Sequence, residues 1–148
     1  FPPARNKLRA HVTLFHALPP SVEPELCSLL GQITKAPAPF ARVTGLMKLG
    51  GGTALAIESD DMLQFRAIVA DRMHGLLTPQ DQHQPRLHIT IQNKVSSDEA
   101  RALQRALSPV LDHHAFRFIG FGLYRYEGGP WHHIRNFAFR GEPRSKVR

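Results

Sequence analysis

Cysteine is nearly absent: Cys27 is the single one among 148 residues, so no internal disulfide can form. It sits among Leu26, Leu29 and Leu30, where a buried thiol is the expected state, and such cysteine usage favours a reducing, cytoplasmic setting. Long apolar runs are missing too. None approaches the ~20 residues needed to cross a bilayer, which excludes a membrane-spanning helix. The opening stretch, Phe1-Pro2-Pro3-Ala4-Arg5, lacks the charged-then-apolar order of a secretory signal. Acidic residues are in deficit, with 12 Asp and Glu against 19 Lys and Arg, for a net charge of +7. Most of these cations are arginine, whose planar fork suits phosphate oxygens; such a field either attracts polyanions, nucleic acids above all, or merely keeps the protein soluble, and charge alone does not choose. The run Gly50-Gly51-Gly52 is not followed by the Lys-Ser/Thr of a phosphate-binding loop and reads as a hairpin turn. His113-His114 and His132-His133 are adjacent pairs, and neighbours on a strand point to opposite faces. No Cys, Asp or Glu spacing completes a ligand set around them, so neither a metal nor another cofactor is expected. No serine or cysteine stands in a nucleophile setting.

What the chain does have is a repeat. Residues 10–15 and 87–91 both alternate polar and apolar with period two, as half-buried strands do, and carry His11-Val12-Thr13-Leu14 and His88-Ile89-Thr90-Ile91. After the first motif, Leu26, Leu29, Leu30 and Ile33 form one face of a helix. After the second, Ser96 to Glu99 offers a capping box, followed by Leu103, Leu107, Val110 and Leu111 on one helical face. Each helix leads to a strand, predicted over residues 40–49 and 116–126. Each strand leads through glycines to another, at 53–57 and 132–139. Shifting the sequence by 77 residues carries His11 onto His88, Thr13 onto Thr90, Gly45 onto Gly122, Leu46 onto Leu123, and Gly51 and Gly52 onto Gly128 and Gly129. This predicts one α+β domain of two pseudo-symmetric lobes, residues 10–58 and 87–139, joined by a helix over 60–77 with Phe65, Ile68, Val69, Arg72 and Leu76 in its period. A strand and helix precede His88 but not His11, so the natural chain is expected to begin earlier.

On a strand, residues i and i+2 share a face. His11 and Thr13 are therefore expected on one face, with Ala10, Val12 and Leu14 behind them. His88 and Thr90 repeat the arrangement over Leu87, Ile89 and Ile91. Two lobes facing across a pseudo-twofold axis bring two imidazoles and two hydroxyls into one cleft. One ring can then act as base and the other as acid, while the hydroxyls donate to non-bridging phosphate oxygens. Those are the parts of a metal-free, in-line displacement at phosphorus.

The two H-x-[ST]-hydrophobic motifs, half a domain apart, resemble the signature of the 2H phosphoesterases, and the nearest branch is the bacterial 2′-5′ RNA ligase-like proteins, or RNA 2′,3′-cyclic phosphodiesterases. The resemblance spans nearly the whole chain, and its specific part is residues 11–14 and 88–91. It implies a bilobal α+β fold, an antiparallel sheet in each lobe, and an active-site cleft between them. It also implies metal-free hydrolysis of a 2′,3′-cyclic phosphate on RNA or a nucleotide to a 2′-phosphate. That chemistry run backward is the ligase activity. Carried onto this sequence, His11 and His88 form the acid–base pair and Thr13 and Thr90 the phosphate donors. His88 would activate water and His11 protonate the leaving ribose oxygen, although near-symmetry lets either ring serve. The family often has an arginine soon after the second motif; here Gln92-Asn93-Lys94 stands instead, with Gln92 and Lys94 continuing the His88 face.

Phe15 extends the His11 face and is a candidate wall beside a base. Tyr124, Tyr126 and Trp131 flank the second glycine turn and are candidates for base stacking, against a role in core or sheet packing. Arg125 reads as a solvated arginine, His16 points away from the site, and Arg140, Arg144, Lys146 and Arg148 read as a basic tail. Two rival functions stay open: a basic RNA-binding module without turnover, and an enzyme for another cyclic phosphate or an oligonucleotide 3′ end.

Overall fold

A computed structural model describes residues 10–143. Its elements run α1 (Glu23–Ile33), β1 (Phe40–Leu49), β2 (Gly52–Glu58), α2 (Asp60–Arg72), β3 (His88–Gln92), α3 (Ser97–Leu107), β4 (Ala115–Arg117), β5 (Gly120–Tyr126) and β6 (Trp131–Ala138). The class is α+β, with two antiparallel sheets: a four-stranded one in the order β3-β2-β1-β4, and the ribbon β5-β6. The chain runs from helix to hairpin twice, as α1-β1-β2 directly and as α3-β4-β5-β6 with the short β4 intervening.

The first helix follows its apolar face. Leu26, Leu29, Leu30 and Ile33 are all buried, in a core shared with Ala41, Val43 and Ile57 of the large sheet and Phe121 and Phe137 of the ribbon. Cys27 is half-buried against that core. The last turn of α1 is closed by residues from the far end of the chain. The Arg140 guanidinium donates to Thr34 Oγ1 and to the Gly31 carbonyl, both at 2.8 Å, and its backbone N–H donates to the Thr34 carbonyl. Arg140 is thus a helix cap rather than the start of a loose tail, a role suited to a cation beside exposed carbonyls. Arg144, Lys146 and Arg148 lie outside the described residues.

Four expectations need correction. The helix predicted over 60–77 stops at Arg72, and Ile68 and Leu76 are exposed. Its buried row is Met62, Arg66, Val69 and Met73, and the arginine in that row hid it from an apolar count. In α3 the fully buried positions are Ala100 and Gln104; Leu103, Leu107 and Leu111 are half-buried and Val110 is exposed, beyond the helix end. The strand predicted over 116–126 divides into β4, on β1 of the large sheet, and β5, in the ribbon. Finally, residues 10–15 form no regular strand: Val12 makes a lone antiparallel bridge to Ile89 of β3, and Ala10 is exposed.

Ends and turns follow ordinary rules. Ser59 caps α2, accepting from Met62 N–H at 3.2 Å and donating to the Phe40 carbonyl at 2.5 Å. Ser96 caps α3 by accepting from Glu99 N–H at 3.1 Å, while its hydroxyl meets Glu99 Oε1. The serine half of the capping box expected from the sequence is present, with Glu99 meeting the Ser96 hydroxyl instead of its backbone N–H. Gly52 lies where β3 crosses close to β2, and a Cβ there would stand 1.9 Å from the Gln92 carbonyl oxygen.

Candidate active site

The lone bridge between Val12 and Ile89 joins the two motifs. Antiparallel pairing carried one residue to each side sets His11 against Thr90 and Thr13 against His88. The two histidines then stand on a diagonal, with Cβ atoms roughly 7–8 Å apart. His11 and Thr13 are exposed; His88 and Thr90 are half-buried. Behind them, Val12, Leu14, Leu55, Leu87 and Ile89 pack into or against the core, as the alternation required.

Neighbouring strands place small residues beside the second motif. His88 pairs with Ala56 and Thr90 with Ala54 on β2, and Ala56 in turn pairs with Gly45 on β1. Paired residues share a face, so small side chains flank the two motif residues, and Ala54 beside Thr90 is fully buried. Two surface grooves border this sheet. One, of about 250 Å³, includes Pro85, Arg86 and Leu87 and ends just before His88. The other, of about 530 Å³, lies between β1 and α3 with Lys48, Arg101 and Arg105 on its walls.

His88 is oriented from behind: its Nδ1 lies 2.8 Å from the Arg86 carbonyl oxygen. A carbonyl only accepts, so Nδ1 carries the proton and donates. The Nε2 lone pair of the neutral ring is left to take a proton.

The first motif is held differently, by residues the sequence reading passed over. Asp81, 1% exposed, accepts at both carboxylate oxygens from the His16 N–H, at 3.0 and 2.9 Å, and from the Ala17 N–H at 3.1 Å. His16 Nδ1 lies 3.0 Å from its Oδ1. Burial pushes the Asp81 carboxyl up, but the His16 ring and these two backbone N–H groups outweigh it and hold it below the ordinary carboxylate range. Arg66, 5% exposed, donates from Nε to the Leu14 carbonyl at 3.1 Å and from its terminal nitrogen to the Asp81 carbonyl at 2.6 Å. Burial lowers its pKa, against the raising charge of Asp81. Together Arg66 and Asp81 fasten residues 14–17, just past His11 and Thr13, to α2 and the turn Pro79–Gln82. An arginine on the buried row of an amphipathic helix was the signal for Arg66; Asp81 sits in a short turn that carries none.

The remaining candidates separate. Phe15 packs against the core beneath the Arg66 guanidinium, 4.3 Å from its ring centre, so it is no open wall beside the histidines. Gln92 accepts from Thr53 Oγ1 at 3.1 Å. Lys94 lies past the end of β3, exposed, at φ 57°, so it does not continue the strand face. Tyr124 and Trp131 lie on the ribbon, packed edge-on to His133 and against Tyr126 respectively. Arg125 is not simply solvated: it donates to both oxygens of Glu23 at 2.9 and 3.0 Å, and hydrogen bonding to Glu23 raises its pKa. Among the described residues no three His, Cys, Asp or Glu side chains gather as a metal would need, and no helix is long and apolar enough to cross a membrane.

Two antiparallel sheets with few helices, and two His-x-Thr segments meeting across one bridge, define a chain of the two-histidine phosphoesterase class. The 2′-5′ RNA ligase superfamily matches residues 1–130, and the chain belongs to it. Its activity is therefore of the phosphoesterase or ligase type. A solved structure, TT0787 of Thermus thermophilus, has the same fold, with a TM-score of 0.61 and 21% identity over 90% of this chain and 80% of that one. No curated protein matches.

Proposed function

We propose that this protein opens 2′,3′-cyclic phosphates of RNA ends or nucleotides to 2′-phosphates, without metal, between His11 and His88. The observation that carries the reading is the Val12–Ile89 bridge, which sets one His-x-Thr segment against the other. In the forward step His88 Nε2 takes a proton from water as its oxygen attacks phosphorus. The bond from phosphorus to the 3′ oxygen breaks, and His11, protonated, gives that oxygen its proton. Thr13 and Thr90 donate to the non-bridging oxygens, where charge builds. The Nδ1 anchor on the Arg86 carbonyl supports His88 as the base, because it leaves Nε2 as acceptor. Gln92 and Lys94, at and just past the end of β3, and Tyr124 and Trp131, on the ribbon, are proposed to bind substrate, and the halves 10–58 and 87–139 are proposed to be a duplication within one domain.

The test is incubation with nucleoside 2′,3′-cyclic monophosphates in EDTA, beside a His11→Ala/His88→Ala variant. Appearance of the 2′-phosphate is expected, with a bell-shaped pH–rate profile, since one ring must be neutral and the other charged. Each single histidine variant should lose roughly 10²–10⁴-fold in rate. Turnover that survives in the double variant, or a rate that only climbs with pH, would refute the mechanism.

A further inference from the structure

One face of the β5-β6 ribbon carries an open row of rings. Phe121 and Phe137 pair on the buried face. The other face presents three cross-strand pairs: Tyr126 with Trp131, Tyr124 with His133, and Gly122 with Asn136. Tyr126 and Trp131 are 58% and 51% exposed, and Tyr124 is 36% exposed. Within the first two pairs the ring centres lie 5.1 and 5.2 Å apart. Contiguous exposed apolar patches, unlike single exposed rings, mark interaction sites.

The rings are placed rather than loosely hung. Tyr124 lies over the backbone of Gly122, where a Cβ would stand 2.9 Å from its Cε1. His133 Nε2 is 2.8 Å from Asn136 Oδ1, which fixes the other ring of that pair. Successive ring pairs on β5 are two residues apart, about 6.6 Å along the strand, so two unstacked bases each find their own ring. The acids beside them are paired, and it is the chain's net charge of +7 that favours a polyanion. Between Gly120 and Ala138 the only acid is Glu127, held by Arg125 and His132, and Glu23 beside the ribbon is held by Arg125 too.

We propose that this face is a stacking platform for bases of single-stranded RNA, so that the protein grips the strand as well as its reacting end. Stacking on aromatics is open to any base, because each offers a flat face, and it excludes duplexes, whose bases are already stacked. The inference rests on the proposed function only for the choice of RNA as the polyanion.

Trp131 is the single tryptophan of the chain, so its emission reports on this face alone. The experiment titrates the full chain with a single-stranded hexanucleotide RNA ending in a 3′-hydroxyl, which offers no cyclic phosphate to open. Saturable quenching is expected, and the same RNA as a duplex, or inorganic polyphosphate, should leave the emission unchanged. Tyr126→Ala should weaken binding about five- to hundredfold. Gly122→Ala, which removes no ring but displaces Tyr124, should weaken it as well. Absence of quenching, equal quenching by polyphosphate, or unchanged affinity in both variants would overturn the platform. Quenching without turnover of cyclic nucleotides would instead sink the proposed catalysis and leave the platform standing.

Discussion

A histidine that serves as a base needs a fixed tautomer more than it needs burial. His88 has that from one backbone carbonyl, supplied by a residue two positions earlier on the same chain. The motif therefore carries part of its own orientation, and Arg86 matters for its carbonyl rather than its charge. Asp81 is the opposite kind of residue: far in sequence from the first motif it supports, buried, and ionised because three donors converge on it. Its depressed pKa has a definite consequence for stability. A group whose folded value lies below its unfolded one, near ~3.9 for Asp, stabilises the fold above that unfolded value. The contribution is lost as pH falls through the folded value. Asp81→Asn keeps the size but weakens hydrogen bonds to a charged acceptor, and should cost about 2–3 kcal/mol at neutral pH. Thermal unfolding of both proteins from pH 7 down to pH 3 checks this: the gap in midpoint should narrow as the pH drops below about 4. A gap that stays constant would mean that the Asp81 charge plays no part.

At the scale of elements, local patterns were legible and long-range attachments were not. The four leucine and isoleucine positions of α1, the Ser96 cap and the bounds of β1 could all be read from spacing and turn residues, because each depends on neighbours within a turn or two. The division of residues 116–126 between two sheets depends on which distant strand each piece meets, and no period encodes that. The two motif segments were legible as a pair, but their different construction was not. β3 is a ladder strand, whereas residues 11–15 rely on one bridge and on Arg66 and Asp81 from elsewhere. The attachment of β3 depends in turn on the bare backbone of Gly52, where any side chain would meet the Gln92 carbonyl and the Asn93 Cα, both backbone and unable to swing aside. Gly52→Ala should therefore lower stability by about 1–3 kcal/mol and impair turnover, since it displaces the strand that carries His88 and Thr90. Urea unfolding together with cyclic nucleotide hydrolysis tests this. An alanine variant with unchanged midpoint and unchanged rate would show that β2 and β3 can shift apart without consequence for the motifs.

For the whole molecule the governing quantity is the net charge of +7, which acts on a substrate in proportion to its phosphates. A cyclic mononucleotide brings a single phosphate, so its kcat/KM should change little between 50 and 200 mM salt. A single-stranded oligonucleotide lying along the protein releases counterions from each phosphate that the chain's cations neutralise. Every phosphate neutralised adds about −0.7 to the slope of log affinity against log salt. An oligonucleotide slope steeper than about −2 would correspond to three or more phosphates engaged, a footprint longer than the His–Thr quartet alone can supply. Base stacking has no such salt term, so Tyr126→Ala should lower affinity at every salt concentration and leave the slope where it was. Binding isotherms for both proteins across that salt range separate the two contributions. If mononucleotide and oligonucleotide show the same shallow slope, the positive charge acts on nothing but solubility, and the protein recognises only the reacting phosphate.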